Sequence, residues 1–169
     1  MKLYAFYFIC SSTIASVAYY LLNLIMPDGW VFGALYRMFL YHWEHPFQYI
    51  ILACIIYAFC ASLGVIWFPN LIKWKQKIFI MAVIMMTILI SSVPGGVLWK
   101  IHDMQAGRFT EGEQFWLDLY WGAEAGLCLG WAIILLSIPY NIICVAFGYF
   151  VTKYGFDIYH RDKRKDQKS

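Results

Sequence analysis

Apolar residues crowd into four long runs, at residues 3–26, 47–68, 78–98 and 122–151, and the charged residues fall almost wholly in the connections between them. About 20 apolar residues suffice for a helix to cross a hydrocarbon core of about 30 Å, so each run has the length of a membrane span. The punctuation agrees with that division. Pro27-Asp28-Gly29 ends the first run, Pro46 introduces the second and Pro69-Asn70 closes it. Pro94-Gly95-Gly96 loosens the end of the third, and Lys153 follows the fourth. Glu124 is the one charged residue inside any run. The pattern predicts an all-α, polytopic integral membrane protein: a four-helix transmembrane bundle forming one domain over residues 1–169, with 152–169 as a basic cytoplasmic tail.

The first run resembles a secretory signal in its thin basic start, Lys2, and in Ser16-Val17-Ala18, a small-x-small site. Its apolar stretch continues through Tyr19-Tyr20-Leu21-Leu22 to Met26, longer than a signal core, so a retained span is expected.

Composition strengthens the membrane reading. Of the 169 residues 62% are hydrophobic and 14% charged, against roughly half and a quarter in soluble domains. Water would leave much of that apolar surface exposed, because a domain of this size still shows about a third of its surface. Aromatic residues reach 20%, and Trp and Tyr favour the level of the headgroups. The five cysteines, Cys10, Cys54, Cys60, Cys128 and Cys144, all lie within apolar runs without a CxxC pair, and read as small apolar residues.

Charge sets the orientation. With the N-terminus inside, Lys2, Lys73, Lys75, Lys77, Lys153, Arg161, Lys163, Arg164, Lys165 and Lys168 are cytoplasmic, ten of the thirteen basic residues. Arg37, Lys100 and Arg108 fall outside among a larger number of acids. The positive-inside rule therefore predicts a cell-membrane protein with both termini cytoplasmic. The run RDKRKDQK from Arg161 to Lys168 then serves as a topology anchor facing anionic lipid, and no nucleic-acid partner is implied.

Inside lipid, helices associate through close backbone approach and interhelical hydrogen bonds. Gly122, Gly126 and Gly130 recur every four residues and form a smooth face, for a neighbouring helix of this chain or for a partner surface. Ser137-Ile138-Pro139-Tyr140-Asn141 predicts a kink, since proline removes a donor and clashes with the preceding turn. With Asn23 and Thr87 as the visible polar partners from other spans, the kink is expected to be a packing feature rather than part of a path.

Two outer connections bear amphipathic character. Leu35, Met38, Phe39 and His42 fall at i, i+3, i+4 and i+7, so 27–46 is expected to hold a short interfacial helix. Residues 99–121 mix acids with Phe115, Trp116, Leu119 and Tyr120 and are expected to dip into the headgroups as well.

The most chemical-looking feature lies there. His42, Glu44 and His45 precede the second span, and His102-Asp103 follows the third. A short inner turn joins those spans, so their outer ends should be neighbours. His42 and His45, three residues apart, have a spacing usable by two imidazole ligands, and His102, Glu44 or Asp103 would complete a site for a divalent metal such as zinc, copper or iron. The bland alternative is polar chemistry at an interface. The sequence contains no Gly-rich phosphate loop and no GxSxG elbow, and the polar positions that remain for function are Glu124 and Asn141.

These features lead to three expectations. The first is a non-enzymatic accessory, assembly or immunity-type component that binds another membrane protein or an extracytoplasmic ligand. The second is an oligomeric transporter or channel. The third is an outer-face metal-dependent enzyme or metal-handling protein using His42, His45 and His102. The lipid bilayer is a partner in each, joined by another membrane protein or by further copies of this chain.

Overall fold

The computed structural model describes residues 2–26, 30–33, 46–69, 71, 73–107 and 114–166. Every regular element among them is helical: α1 (Lys2–Ile25), α2 (Pro46–Trp67), α3 (Lys73–Gln105), α4 (Phe115–Ala125), a π turn (Gly126–Gly130), α5 (Trp131–Leu135) and α6 (Tyr140–Asp166). Four of them, α1, α2, α3 and α6, are long and apolar enough to cross a membrane. The interfacial helix expected around Leu35–His42 lies outside the described residues.

Several boundaries differ from those the apolar runs imply. α3 begins at Lys73 and ends at Gln105, beyond the run 78–98 on both sides, and Pro94 sits within it. Lys and Gln are good helix formers, so Lys73–Lys77 adds turns before the apolar part begins. Pro94 withholds one amide from the ladder, but the chain carries on through Gly95 and Gly96 without a turn. Residues 152–166, expected as a tail, continue α6, because Lys153 to Asp166 holds no proline and only Gly155. Hydropathy marks where a chain is apolar; a helix ends only where its backbone ladder is broken.

The core divides into two apolar clusters. On α2, Tyr57, Ala58, Ala61 and Val65 share a face and meet Ile80, Val83, Ile84 and Ile88 of α3, together with Tyr7 of α1 and Phe156 of α6. Small residues on α2 bring the helices close. Three buried hydroxyls tie this cluster together: Tyr57 Oη lies 2.7 Å from Thr152 Oγ1 and donates to the Gly148 carbonyl at 2.9 Å, while Tyr7 donates to the Thr152 carbonyl at 3.3 Å. The second cluster joins Ala15, Ala18, Val31, Phe32, Ile50, Cys54 and Tyr140, and here Tyr140 donates to the Ala15 carbonyl at 3.1 Å. Both clusters include residues of α1, α2 and α6, so α6 is held at two levels along its length.

The fourth apolar run is not one helix. α4, the π turn and α5 descend against α3, the chain breaks at Leu136–Pro139 with a cis Ile138-Pro139 bond, and α6 resumes at Tyr140. Gly130 faces Ser92 and Gly148 faces Ile84. From Ser92 to Ile84, α3 descends about 12 Å, whereas the chain from 130 to 148 would descend about 27 Å as a straight helix. The surplus is taken up sideways: the break carries the chain from the flank of α3 to the seat of α6 against α1. Val31–Gly33, the segment beyond α1, closes over that break. Tyr140 N–H donates to the Val31 carbonyl at 3.3 Å, and Gly33, at φ +81°, lies so near the Ile138 carbonyl that a side chain there would sit 2.9 Å from it. Glycine is needed at that position for both its backbone conformation and its lack of bulk.

Candidate functional site

α3 presents two adjacent rows of residues at i, i+4, i+8 spacing, and each row has a different neighbour. Ser92, Gly96 and Lys100 face the glycine row of the next leg: a methyl on Gly96 would overlap the Gly122 carbonyl, and one on Gly126 would overlap the Ser92 carbonyl. Gly122, Gly126 and Gly130 are therefore turned toward α3 of the same chain. The other row, Ser91, Gly95 and Trp99, looks into a cavity of about 440 Å³.

The cavity is where the sideways step of the broken run leaves its mark. α3 forms one wall; Ser137, Asn141 and Cys144, beside the break and on α6, form another. Ser11 and Ala15 of α1 and Tyr49, Cys54 and Tyr57 of α2 complete it. Its size falls within the range of about 300–1,000 Å³ typical of small-molecule sites. The lining is mainly aliphatic and aromatic with a few hydroxyls and amides, and no Asp, Glu, Lys, Arg or His is among the described lining residues.

Most lining hydroxyls are satisfied, by their own helix or by a neighbouring one. Thr87 donates to the Val83 carbonyl at 2.8 Å and Ser137 to the Ile133 carbonyl at 2.7 Å. Three polar atoms are not. Ser91 Oγ, Trp99 Nε1 and Asn141 Nδ2 are shielded from solvent and have no hydrogen-bond partner among the described residues. A buried polar group left so costs about 1–3 kcal/mol, and natural proteins rarely leave several around one space.

A second polar cluster sits where α2 begins and α3 finishes. His102, 3% exposed, lies with one ring nitrogen, Nε2, 2.8 Å from Gln48 Oε1 and the other, Nδ1, 3.2 Å from Tyr49 Oη. One neutral tautomer satisfies both contacts: Nε2–H donates to Gln48 and Nδ1 accepts from Tyr49. The Tyr49 ring meets the imidazole edge-on at 5.7 Å. Asp103 and Lys100 are also buried here, and the Lys100 ammonium lies 5.2 Å from the centre of the Trp99 ring.

The described positions among those singled out by sequence take different places. His42, Glu44 and His45 lie outside the described residues, and so does the expected three-histidine grouping of His42, His45 and His102. No group of three His, Cys, Asp or Glu residues able to hold a metal occurs among the described residues. With both nitrogens engaged, His102 would have to release Gln48 or Tyr49 before it could ligate an ion. Glu124 is exposed on α4 and is not a lining residue of the cavity; Asn141 is one. Thr87, a visible polar partner of the kink in the sequence, lines the cavity as well. Ser91, Trp99, Tyr49 and Tyr57 join it there, and in the sequence the i, i+4, i+8 spacing of Ser91, Gly95 and Trp99 is the readable signal of a shared face. His102→Phe, which keeps a flat ring but strips both hydrogen bonds, is expected to destabilise the fold by about 1–3 kcal/mol by thermal unfolding in detergent. A metal-ligand role would show instead as loss of a metal-dependent shift in that same curve.

The fold and cavity thus define an all-helical protein with four helices long and apolar enough to cross a membrane and a cavity between them. Comparison with protein families, with curated proteins and with solved structures gives no match.

Proposed function

We propose that this chain is a multi-pass protein of the cell membrane that works by binding rather than by catalysis, as an accessory or assembly-type component. In this reading α1, α2, α3 and the broken leg α4–α6 make four crossings, both termini are cytoplasmic, and the His102 cluster lies at the outer face. The orientation rests on the distribution of Lys and Arg, and the crossings rest on four long apolar helices. The observation that carries binding is the cavity of about 440 Å³, walled by residues of α1, α2, α3 and α6. A chamber of that size costs packing contacts that a merely structural bundle would fill.

Native mass spectrometry of the full chain released from its own membranes tests this. The expected spectrum shows the chain carrying added mass, as a small molecule or a second membrane protein; a bare monomer under every release condition would overturn the reading.

One observation favours transport as a second reading. The helix broken at Leu136–Pro139 sits beside the cavity, and discontinuous helices line the binding sites of many transporters. Asn141→Leu would then abolish flux in proteoliposomes while leaving insertion intact, and unchanged flux would remove the path.

A further inference from the structure

We propose that the cavity between α3 and α6 binds a neutral, lipid-like molecule: a hydrocarbon body carrying carbonyl or ester oxygens, held by hydrogen bonds from Trp99, Ser91 and Asn141. This rests on the binding reading above and names the ligand class.

The chemistry of the lining selects the class. Trp Nε1–H and the Asn amide nitrogen can only donate, and a serine hydroxyl donates readily. The three unpartnered atoms thus ask for acceptors, and a ligand supplies acceptors without protons to lose as carbonyl or ester oxygen. Ser91 is 5% exposed, so its hydroxyl has no recourse to bulk water. Charge is excluded by the absence of any ionisable Asp, Glu, Lys, Arg or His from the described lining, since a buried ion without a counter-charge is strongly disfavoured.

Geometry sets the length and the way in. Ser91 and Trp99 are two turns apart on α3, about 12 Å, so a molecule meeting both is extended along the helix. Leu129 on the π turn and Phe147 on α6 line the cavity yet are 53% and 48% exposed on the protein's flank. The sideways step of the broken leg parts these two elements, and the ligand enters there from the side, out of the hydrocarbon itself.

A monoacylglycerol bearing a photoreactive diazirine on its acyl chain, added to the full-length protein in phosphatidylcholine nanodiscs, is the probe. Crosslinks are expected to concentrate on residues 84–99 and 137–151. Unlabelled monoacylglycerol or decylubiquinone should compete, and whichever does so better tells an acyl ester from a quinone; dodecane, of similar body but without oxygen, should not. Trp99→Phe and Ser91→Ala should each lower labelling roughly three- to tenfold, as loss of one hydrogen bond implies. Ser91→Ala should also raise the Tm of the ligand-free protein, because it removes an unsatisfied buried hydroxyl with almost no loss of volume; a structural role would lower it. Even labelling of all apolar faces, equal competition by dodecane, or wild-type labelling in both variants would overturn the proposal. Native mass spectra of the same preparations separate the two possible failures. Lost cavity labelling beside a co-released partner protein removes this ligand class alone. A bare monomer without cavity labelling removes the binding reading too.

Discussion

Gly126→Ala is expected to destabilise the protein by about 3 kcal/mol, the upper range for forcing one methyl into a packed contact. The added carbon would overlap the Ser92 carbonyl and press on the Val93 backbone, and backbone in a long helix cannot move aside as the tip of a side chain can. α3 and the π turn would have to part, and the separation would spread to Gly96 and Gly122, which share the seam. Two neighbours calibrate the effect. At Gly130 a methyl would meet the Ser92 Cβ and carbonyl at 3.1 Å, tight but tolerable, so about 1 kcal/mol is expected. At Gly95 nothing lies within 4 Å, and alanine there should stabilise by about 0.5–1 kcal/mol through the ordinary helix preference. Unfolding in mixed micelles titrated with a denaturing detergent measures all three. Equal tolerance of alanine at Gly126 and Gly95 would show that the seam does not exist.

The second large effect concerns the latch between α1 and α6. A methyl on Gly155 would overlap the hydroxyl end of Tyr7, whose side chain is fully buried and donates to the Thr152 carbonyl at 3.3 Å. Tyr7 also lies edge-on to Tyr57 at 6.0 Å, so it cannot swing away without disturbing the hydroxyl network around Thr152 and Gly148. Gly155→Ala is expected to cost about 2–3 kcal/mol. Tyr7→Phe removes the oxygen that clashes first, so the double variant should be less destabilised than the sum of the two singles, by about 1 kcal/mol, as residues in direct contact couple. Additive losses would place the two side chains apart.

The same seams frame the cavity. Glycine rows and a hydroxyl network fix α3, α4 and α6 in place, while the cavity between them keeps three polar atoms unpartnered.

The long helices could be read directly from the chain. Unbroken apolar runs at 3–26, 47–68 and 78–98 correspond to α1, α2 and α3, because hydropathy over some 20 residues is a local property of the chain. The kink before Tyr140 was equally local, announced by Pro139. The four-residue spacing of Gly122, Gly126 and Gly130 showed a smooth face, but not which helix it meets; spacing along one helix carries no information about its neighbour. Tertiary structure alone decided that this face meets Ser92 and Gly96, that the break carries the chain sideways, and that Val31–Gly33 closes over it. It also decided the fates of the polar residues. His102 is absorbed by Gln48 and Tyr49, whereas Ser91, Trp99 and Asn141, unremarkable in sequence, surround one cavity. Whether a polar atom is satisfied depends on what lies across from it, and residues some 50 positions apart are brought opposite each other only by packing.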